Sequence, residues 1–179
     1  MNQEILQTYL RQEETPAYIF DLDMLKSRVQ MMKTILGERA EICFAMKANP
    51  FLIGPLKDTA DKFEVCSPGE FHICVQNHLD MSKIVLSGVN KEYEDVRYAM
   101  EQGVVHYTAE SVAQLKLVER CATELEKQVE LILRVTSGNQ FGMSEEDVIS
   151  CIREKETYPH VQLMGLQYFT GTQKKVMKK

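Results

Sequence analysis

Residues 42–50 read ICFAMKANP, a compact apolar run that ends in a lysine, an asparagine and a proline. Five more apolar runs follow in the 179-residue chain, each separated from the next by a turn and an amphipathic stretch. They are FEVCS from 63, KIVLSG from 83, VVHYT from 104, VELILRV from 129 and LMGLQYF from 163. Continuous apolar strands that alternate with helices are typical of a parallel sheet covered by helices. The predicted fold class is therefore α/β.

Amphipathic stretches fill the spaces between and before these runs. Residues 22–36 place apolar side chains at helical spacing, with Asp21 or Asp23 as the N-cap and Gly37 as the end. Just before this helix, AYIFDL at 17–22 favours a short β-strand. Further helices are predicted within residues 50–61, 68–79, 91–102, 111–125 and 144–157.

Composition excludes several functional classes. The net charge is −5, and the only basic run is KKVMKK at 174–179, so a nucleic-acid partner is not expected. No apolar run approaches the ~18 residues of a membrane helix, which predicts a soluble chain without a membrane partner. Five cysteines without a CxxC pair indicate a reducing, cytoplasmic location. His72 and His78 lack the spacing of a metal site, and no metal is predicted.

Two folds built on a parallel sheet are consistent with this pattern. Six strands suit an open doubly wound sheet, whereas a (β/α)₈ barrel needs eight units and typically about 250 residues. The sequence contains no GxGxxG after the first run and no GxxxxGK[ST], so the phosphate cradles of nucleotide-binding open sheets are missing. Polar residues at the strand ends favour the barrel, in which chemistry gathers at the carboxyl ends of the strands.

Lys47 ends the first apolar run, and we expect its amine at the rim or interior of a low-dielectric site. Desolvation there favours the neutral amine, which forms Schiff bases with aldehydes, including pyridoxal phosphate. Taken alone, a lysine at a strand end more often reaches into water or pairs with a carboxylate.

The segment FAMKANP at 44–50 resembles the lysine motif of the fold-type III pyridoxal-phosphate enzymes, the family of diaminopimelate, ornithine and arginine decarboxylases. Other segments between residues 15 and 173 also resemble the family and lie in its order. TPAYIFDLDML precedes the lysine motif. The segments that follow it are DKFEVCSPGE, KIVLSGVNKEYEDVRYAMEQGV, YTAESVAQL, LILRVTSG, FGMSEED and LMGLQYFTGTQ. The resemblance implies an incomplete (β/α)₈ TIM barrel of the alanine-racemase-like type, with about six βα units and no C-terminal β-domain.

The resemblance divides the chain into three parts. Residues 1–21 form a lead-in and a strand that would pair with the missing β-domain, residues 22–173 form a partial cofactor-binding barrel, and residues 174–179 form a basic tail. It also implies that pyridoxal 5'-phosphate forms a Schiff base with Lys47, the catalytic residue. The residues that align with cofactor-binding positions are Lys47, Glu64, Glu70, Arg134, Phe169 and Thr172.

Phe169 is a departure from the family pattern, because many of these decarboxylases carry a histidine that stacks on the cofactor ring at this position. A phenyl face can stack, but it offers no hydrogen bond or charge. The exact substrate is therefore open. Diaminopimelate is the default from the resemblance, and the decarboxylases of secondary metabolism are competitors.

The implied function is pyridoxal-phosphate-dependent decarboxylation of an amino acid, by a family whose intact members are homodimers. Intact relatives continue through two more barrel strands and a β-domain that complete the active site. We therefore expect this chain to be an N-terminal portion with low or no activity alone. One alternative is a non-catalytic chain that binds or regulates a full-length decarboxylase. Another is an amino-acid racemase on the same barrel, although the SPGE, SGxxK and GTQ segments favour the decarboxylases.

Overall fold

The structure, a computed structural model, describes residues 3–12 and 16–171. Its centre is one sheet of six parallel strands. In chain order these are β1 Cys43–Ala45, β2 Lys62–Val65, β3 Ile84–Leu86, β4 His106–Ala109, β5 Val129–Val135 and β6 Val161–Tyr168. The helices are α1 Gln3–Gln12, α2 Leu22–Leu36, α3 Ile53–Leu56, α4 Pro68–Gln76, α5 Tyr93–Glu101, α6 Val112–Glu124 and α7 Glu145–Arg153. The predicted α/β class is confirmed.

The order of the strands decides between the two predicted architectures. The sheet runs β1-β2-β3-β4-β5-β6, so each strand lies beside its neighbours in sequence. A doubly wound open sheet reverses its strand order at a switch point, whereas the wall of a barrel does not. The described residues therefore form six strands of an incomplete (β/α)₈ barrel.

Short polar side chains start most of the longer helices. Asp21 Oδ1 accepts a hydrogen bond of 2.9 Å from Met24 N at the start of α2, as the sequence predicts. Ser67, Ser111 and Ser144 cap α4, α6 and α7 in the same way. Each serine occupies a loop that leads into the helix, so the backbone N–H groups of the first turn find acceptors and the helix begins at a fixed point.

The hydrophobic core lies between the sheet and the helices. Alternate strand residues point toward the helices, and Phe63, Val65, Tyr107 and Leu131 are fully buried. The opposite face of the sheet lines an open interior cavity of about 530 Å³, bordered by residues that include Glu64, Val85, His106, Thr108, Ile132 and Gln167. A period of two along each strand thus separates a dry outer face from a polar inner face.

The inner face carries charged groups where β2, β4 and β5 begin. Lys62 Nζ lies 2.6 Å from His106 Nε2 and donates to the Ser82 carbonyl at 3.2 Å. His106 Nδ1 lies 2.9 Å from Glu130 Oε2. These contacts satisfy polar groups at the amino ends of the strands, which is the end away from the chemistry of parallel barrels.

The predicted strand at 17–22 is not present. Residues 17–21 have no regular secondary structure, and Tyr18 is 94% exposed, with Ile19 and Phe20 also exposed. A strand requires a neighbour for its backbone groups, and none of the described strands lies beside this segment. The sequence preference for β-structure is therefore not realised in these residues.

The predicted helix within residues 50–61 is much shorter than expected. Pro50–Leu52 form a single 3₁₀ turn, and α3 adds only four residues. Gly54 and Pro55 lie inside that stretch, and both are poor residues for the interior of a helix.

Gly88, in the turn after β3, is a position where alanine should destabilise the protein. Its φ is +98°, and a Cβ atom would lie 2.4 Å from the carbonyl oxygen of Cys66. We expect Gly88→Ala to lower the free energy of unfolding by about 3 kcal/mol, measured by urea denaturation. Gly69→Ala in α4 is the control, because nothing lies within 4 Å of its Cβ position. Equal midpoints for the two variants would contradict the prediction.

Candidate active site

Chemically useful side chains gather at the edge of the sheet where the strands end. Lys47 follows β1, Cys66 follows β2, Lys91 lies in the turn after β3, and Glu110 follows β4 directly. Arg134 is the next-to-last residue of β5. Because the strands are parallel, all these carboxyl ends lie at the same edge of the sheet.

Lys47 lies in a 3₁₀ turn, Met46–Ala48, which is anchored by the fully buried Met46 side chain. Lys47 itself is exposed, and within the described ranges its amine makes no hydrogen bond or ion pair. The expectation of a desolvated lysine is therefore wrong for these residues, because the turn that buries Met46 leaves the next side chain in solvent. An exposed, unpaired primary amine is accessible to an aldehyde.

Glu64 faces the interior cavity from β2. Its Oε1 accepts a hydrogen bond of 3.4 Å from Gln167 Nε2 on β6, so the two strands contribute to one polar layer. The sequence identifies Glu64 as a candidate and does not identify Gln167, whose alternation along β6 places it on the same inner face.

Glu70 has a structural task at the start of α4. Its Oε2 accepts a hydrogen bond of 2.7 Å from Cys66 N, while Ser67 Oγ accepts one of 3.3 Å from Glu70 N. This reciprocal arrangement closely resembles a capping box. One carboxylate oxygen of Glu70 is thereby committed to the backbone, and its predicted cofactor role stays a prediction.

Cys66 lies close to several charged groups at this edge. Burial, reinforced by the Glu64 carboxylate, raises the pKa of the Cys66 thiol to about 11, although the ammonium groups of Lys47 and Lys91 oppose the rise. Cys66 is therefore protonated near neutral pH. A thiol in this state is a weak nucleophile.

Arg134 forms a largely buried ion pair with Glu110. Its Nη1 lies 2.7 Å from Glu110 Oε1, and the two side chains are only 17% and 7% exposed. The guanidinium also lies over the Phe141 ring at 5.1 Å. An arginine within an apolar strand requires a partner, and Glu110 is that partner. The role of Arg134 toward a cofactor stays a prediction.

Lys91 and Gln114 are two polar residues of this edge that the sequence does not identify as site candidates. Lys91 Nζ donates to the Gly88 carbonyl at 2.7 Å and to Gln114 Oε1 at 3.3 Å. Burial lowers the pKa of Lys91 to about 8, although the negative charge of Glu110 opposes this shift. The signal that could have identified Lys91 is its place in a turn after an apolar run, which also applies to Lys47.

Phe169 follows β6 and is exposed. Thr172 lies outside the described residues, as does the basic tail at 174–179. The predicted stacking of Phe169 on the cofactor ring, the predicted cofactor-binding role of Thr172 and the domain boundaries stay predictions.

The pKa of Lys91 predicts a pH dependence of stability. Between pH 8 and 10.5 the unfolded chain binds a proton at Lys91 that the folded chain does not, so stability rises with pH in this window. From pH 8 to pH 10.5 we expect the free energy of unfolding of the wild type to rise by about 1–2 kcal/mol relative to that of Lys91→Met. This is less than the full pKa shift would give, because the side chain is partly solvated. Urea denaturation at each pH measures the difference, and Lys116→Met on the exposed side of α6 is the control. A difference that does not change with pH would contradict the prediction.

Other kinds of site receive no support from residues 3–12 and 16–171. No group of three or more His, Cys, Asp or Glu side chains is placed there to hold a metal ion. No described helix is long and apolar enough to cross a membrane. All five cysteines are free thiols.

Known proteins share this chain's sequence and fold. Residues 22–178 match the family described as "Pyridoxal-dependent decarboxylase, pyridoxal binding domain". A diaminopimelate decarboxylase of Zymomonas mobilis is 27% identical over 180 residues, which cover 89% of this chain and 43% of the relative. Two solved structures, a Helicobacter pylori diaminopimelate decarboxylase complexed with L-lysine and a Selenomonas ruminantium lysine decarboxylase, superpose with TM-scores of 0.80 and 0.81.

The extent of these matches limits what they show. The two solved structures are 20% and 19% identical to the chain in sequence. The matches cover 96% and 97% of this chain and 48% and 47% of the solved chains. They therefore show the fold, and the chain spans less than half the length of the relatives it matches. The family match covers most of the chain. The chain belongs to the pyridoxal-dependent decarboxylases, as a member of their pyridoxal-binding domain.

Proposed function

We propose that this chain binds pyridoxal phosphate covalently through Lys47 and provides the lysine-bearing part of an active site that decarboxylates an amino acid. The observation that carries the proposal is the exposed Lys47 amine at the carboxyl edge of the sheet, the edge that also carries the Glu110–Arg134 pair. Pyridoxal phosphate is the cofactor of the family to which the chain belongs.

The residues at this edge fit the chemistry of that group. An aldehyde requires a primary amine, which Lys47 offers, and an anionic ligand is favoured by the cations Lys91 and Arg134 at the same edge. Glu110 Oε2 is buried and has no hydrogen-bond partner among the described residues, so an acceptor is available for a donor of a ligand. When bound, the cofactor supplies an electron sink for the carbon that loses carbon dioxide.

The protein side of the chemistry follows from the positions of these groups. Lys47 Nζ holds or releases a proton at the end of β1. Glu64, oriented by Gln167, keeps a carboxylate on the inner face of the sheet. Arg134 contacts Glu110 and Phe141, and these contacts hold its charged group in one position at the carboxyl edge of the sheet. These groups are preorganised by the strands, which is how barrel sites gain precision.

The lengths of the relatives support a shared active site. The chain covers 43% of the Zymomonas mobilis enzyme, so more than half of that relative has no counterpart in this chain. We propose that turnover requires such residues and that the present chain alone turns over slowly or not at all. Assembly as a homodimer and a cytoplasmic location stay predictions, the latter supported by five free thiols.

The substrate we propose is an amino acid of the diaminopimelate type, supported by the name of the Zymomonas mobilis relative. The test is a panel of diaminopimelate, lysine, ornithine and arginine added to the chain loaded with pyridoxal phosphate. A change in the visible absorbance of the bound cofactor reports substrate binding, and released carbon dioxide reports turnover. Cofactor binding is followed in parallel by visible absorbance. Absence of cofactor binding would refute the proposal.

Two other outcomes of the same panel identify the alternatives. Racemised amino acid without carbon dioxide would show a racemase. A change in the rate of a full-length decarboxylase when this chain is added, without turnover by the chain alone, would show a regulator.

A further inference from the structure

Gln114 is a buried polar residue in the first turn of α6, and its amide forms hydrogen bonds through both of its heteroatoms. Only 9% of the residue is exposed. Nε2 donates to the Val89 carbonyl at 2.8 Å, and Oε1 accepts from Glu110 N at 2.9 Å and from Lys91 Nζ at 3.3 Å. A buried amide is unfavourable unless it is hydrogen-bonded, and this one has three partners.

These partners come from two different turns. Val89 and Lys91 lie in the turn that joins β3 to α5, and Glu110 lies in the turn that joins β4 to α6. Lys91 also closes its own turn by donating to the Gly88 carbonyl at 2.7 Å. Gln114 therefore joins two neighbouring turns at the carboxyl edge.

Glu110 transmits this arrangement to Arg134. The backbone N–H of Glu110 is held by Gln114, and its side chain holds Arg134 at 2.7 Å. The second oxygen, Oε2, is buried without a hydrogen bond among the described residues. Among the described residues, the Glu110 carboxylate accepts a hydrogen bond from Arg134 Nη1 and from no other group. A shift of the Glu110 backbone would therefore move both the ion pair and the unpaired Oε2 atom.

We infer that Gln114 is a positioning residue of the strand-end site, which holds Glu110, and through it Arg134, by joining the turns after β3 and β4. The inference rests on the proposed function, because the expected consequence is on pyridoxal phosphate binding. Gln114 is proposed to act indirectly: its amide contacts the backbone of Glu110 and the amine of Lys91, and those residues lie at the carboxyl edge of the sheet.

The first test compares three variants in the full chain. Gln114→Met removes both the donor and the acceptor at similar volume, and Gln114→Glu keeps the acceptor for Glu110 N and Lys91 but loses the donor to Val89. Val118→Ala removes a fully buried methyl pair from the same helix without touching the two turns. Each is titrated with pyridoxal phosphate by visible absorbance, and each melting temperature is measured.

We expect Gln114→Met to weaken cofactor binding about tenfold, Gln114→Glu less than Gln114→Met, and Val118→Ala about twofold or less. A purely structural role would weaken binding in proportion to the loss of melting temperature, so the two destabilised variants would follow one line. That result, or a wild-type dissociation constant for Gln114→Met, would overturn the inference.

A second measurement needs no cofactor and separates the two proposals. Amide hydrogen exchange at Glu110 N should accelerate about tenfold more in Gln114→Met than in Val118→Ala, because only the first loses the acceptor of that N–H. Gln114→Glu should exchange at nearly the wild-type rate. If the wild type does not bind pyridoxal phosphate, the proposed function fails while this exchange result still supports the positioning role. Equal acceleration in Gln114→Met and Val118→Ala would overturn it.

Discussion

Lys47→Ala is expected to abolish the covalent attachment of pyridoxal phosphate. Attachment requires a primary amine, and the exposed, unpaired Lys47 amine lies in the turn directly after β1. The wild type and the variant are mixed with the cofactor and reduced with borohydride, and the peptides are weighed by mass spectrometry. The wild type should carry the modification on the peptide that contains Lys47, and the variant should lose it.

Two features of the chain make this test specific. Lys116 is exposed on α6, so Lys116→Ala should keep the modification at the wild-type level. Lys91 has a pKa lowered to about 8, but its amine is engaged by Gly88 and Gln114. A modification that stays at full strength in Lys47→Ala, on Lys91 or on another lysine, would contradict the assignment of Lys47.

Arg134→Met should produce the largest loss of stability among the variants considered. The substitution leaves the carboxylate of Glu110, only 7% exposed, without its ion-pair partner. Breaking a buried pair by removing one partner lowers the free energy of unfolding by about 3–5 kcal/mol. Urea denaturation at neutral pH measures the change.

Matched variants test the cause of this loss. Lys155 and Glu156 are 3.9 Å apart with side chains 63% and 88% exposed, so Lys155→Met should change stability by less than about 0.5 kcal/mol. The double variant Arg134→Met with Glu110→Leu should recover most of the lost stability, because no unpaired charge remains buried. A double variant as unstable as Arg134→Met alone would show that lost packing, and not the unpaired carboxylate, causes the effect.

The six strands could be predicted from the sequence because each is an apolar run interrupted by turns. Their outward residues, such as Phe63 and Leu131, contact helices, so the hydrophobic pattern alone marks them. The segment at 17–22 shows where this reasoning fails. Its composition favours a strand, but a strand also requires a neighbour, and local composition does not report one.

The candidate site was predicted in part. The resemblance identifies Lys47, Glu64 and Arg134, and all three lie on β1, β2 and β5 or directly after them. It could not give the partner of Arg134, because Glu110 is 24 residues away and the two meet only when β4 and β5 pair in the observed register, with Ala109 opposite Leu133. Gln114 and Val89 are 25 residues apart and meet because β3 and β4 pair, with Leu86 opposite Tyr107.

The exposure of Lys47 was also beyond the reach of the sequence pattern. The apolar run ICFAM suggests a buried continuation, but the chain turns at Met46–Ala48, and Met46 takes the buried position. A one-residue difference at the end of a strand decides whether a side chain faces the core or the solvent.

The strand order has a consequence for how the chain folds. Each strand from β2 to β5 pairs with the strand before it and the strand after it, so every pairing in the described sheet joins strands that are consecutive in the chain. Closing one strand–helix–strand unit loses less chain entropy than closing a loop that spans most of the chain. During synthesis each strand emerges next to a partner that has already left the ribosome. The order in which the strands are made is therefore the order in which they can pair.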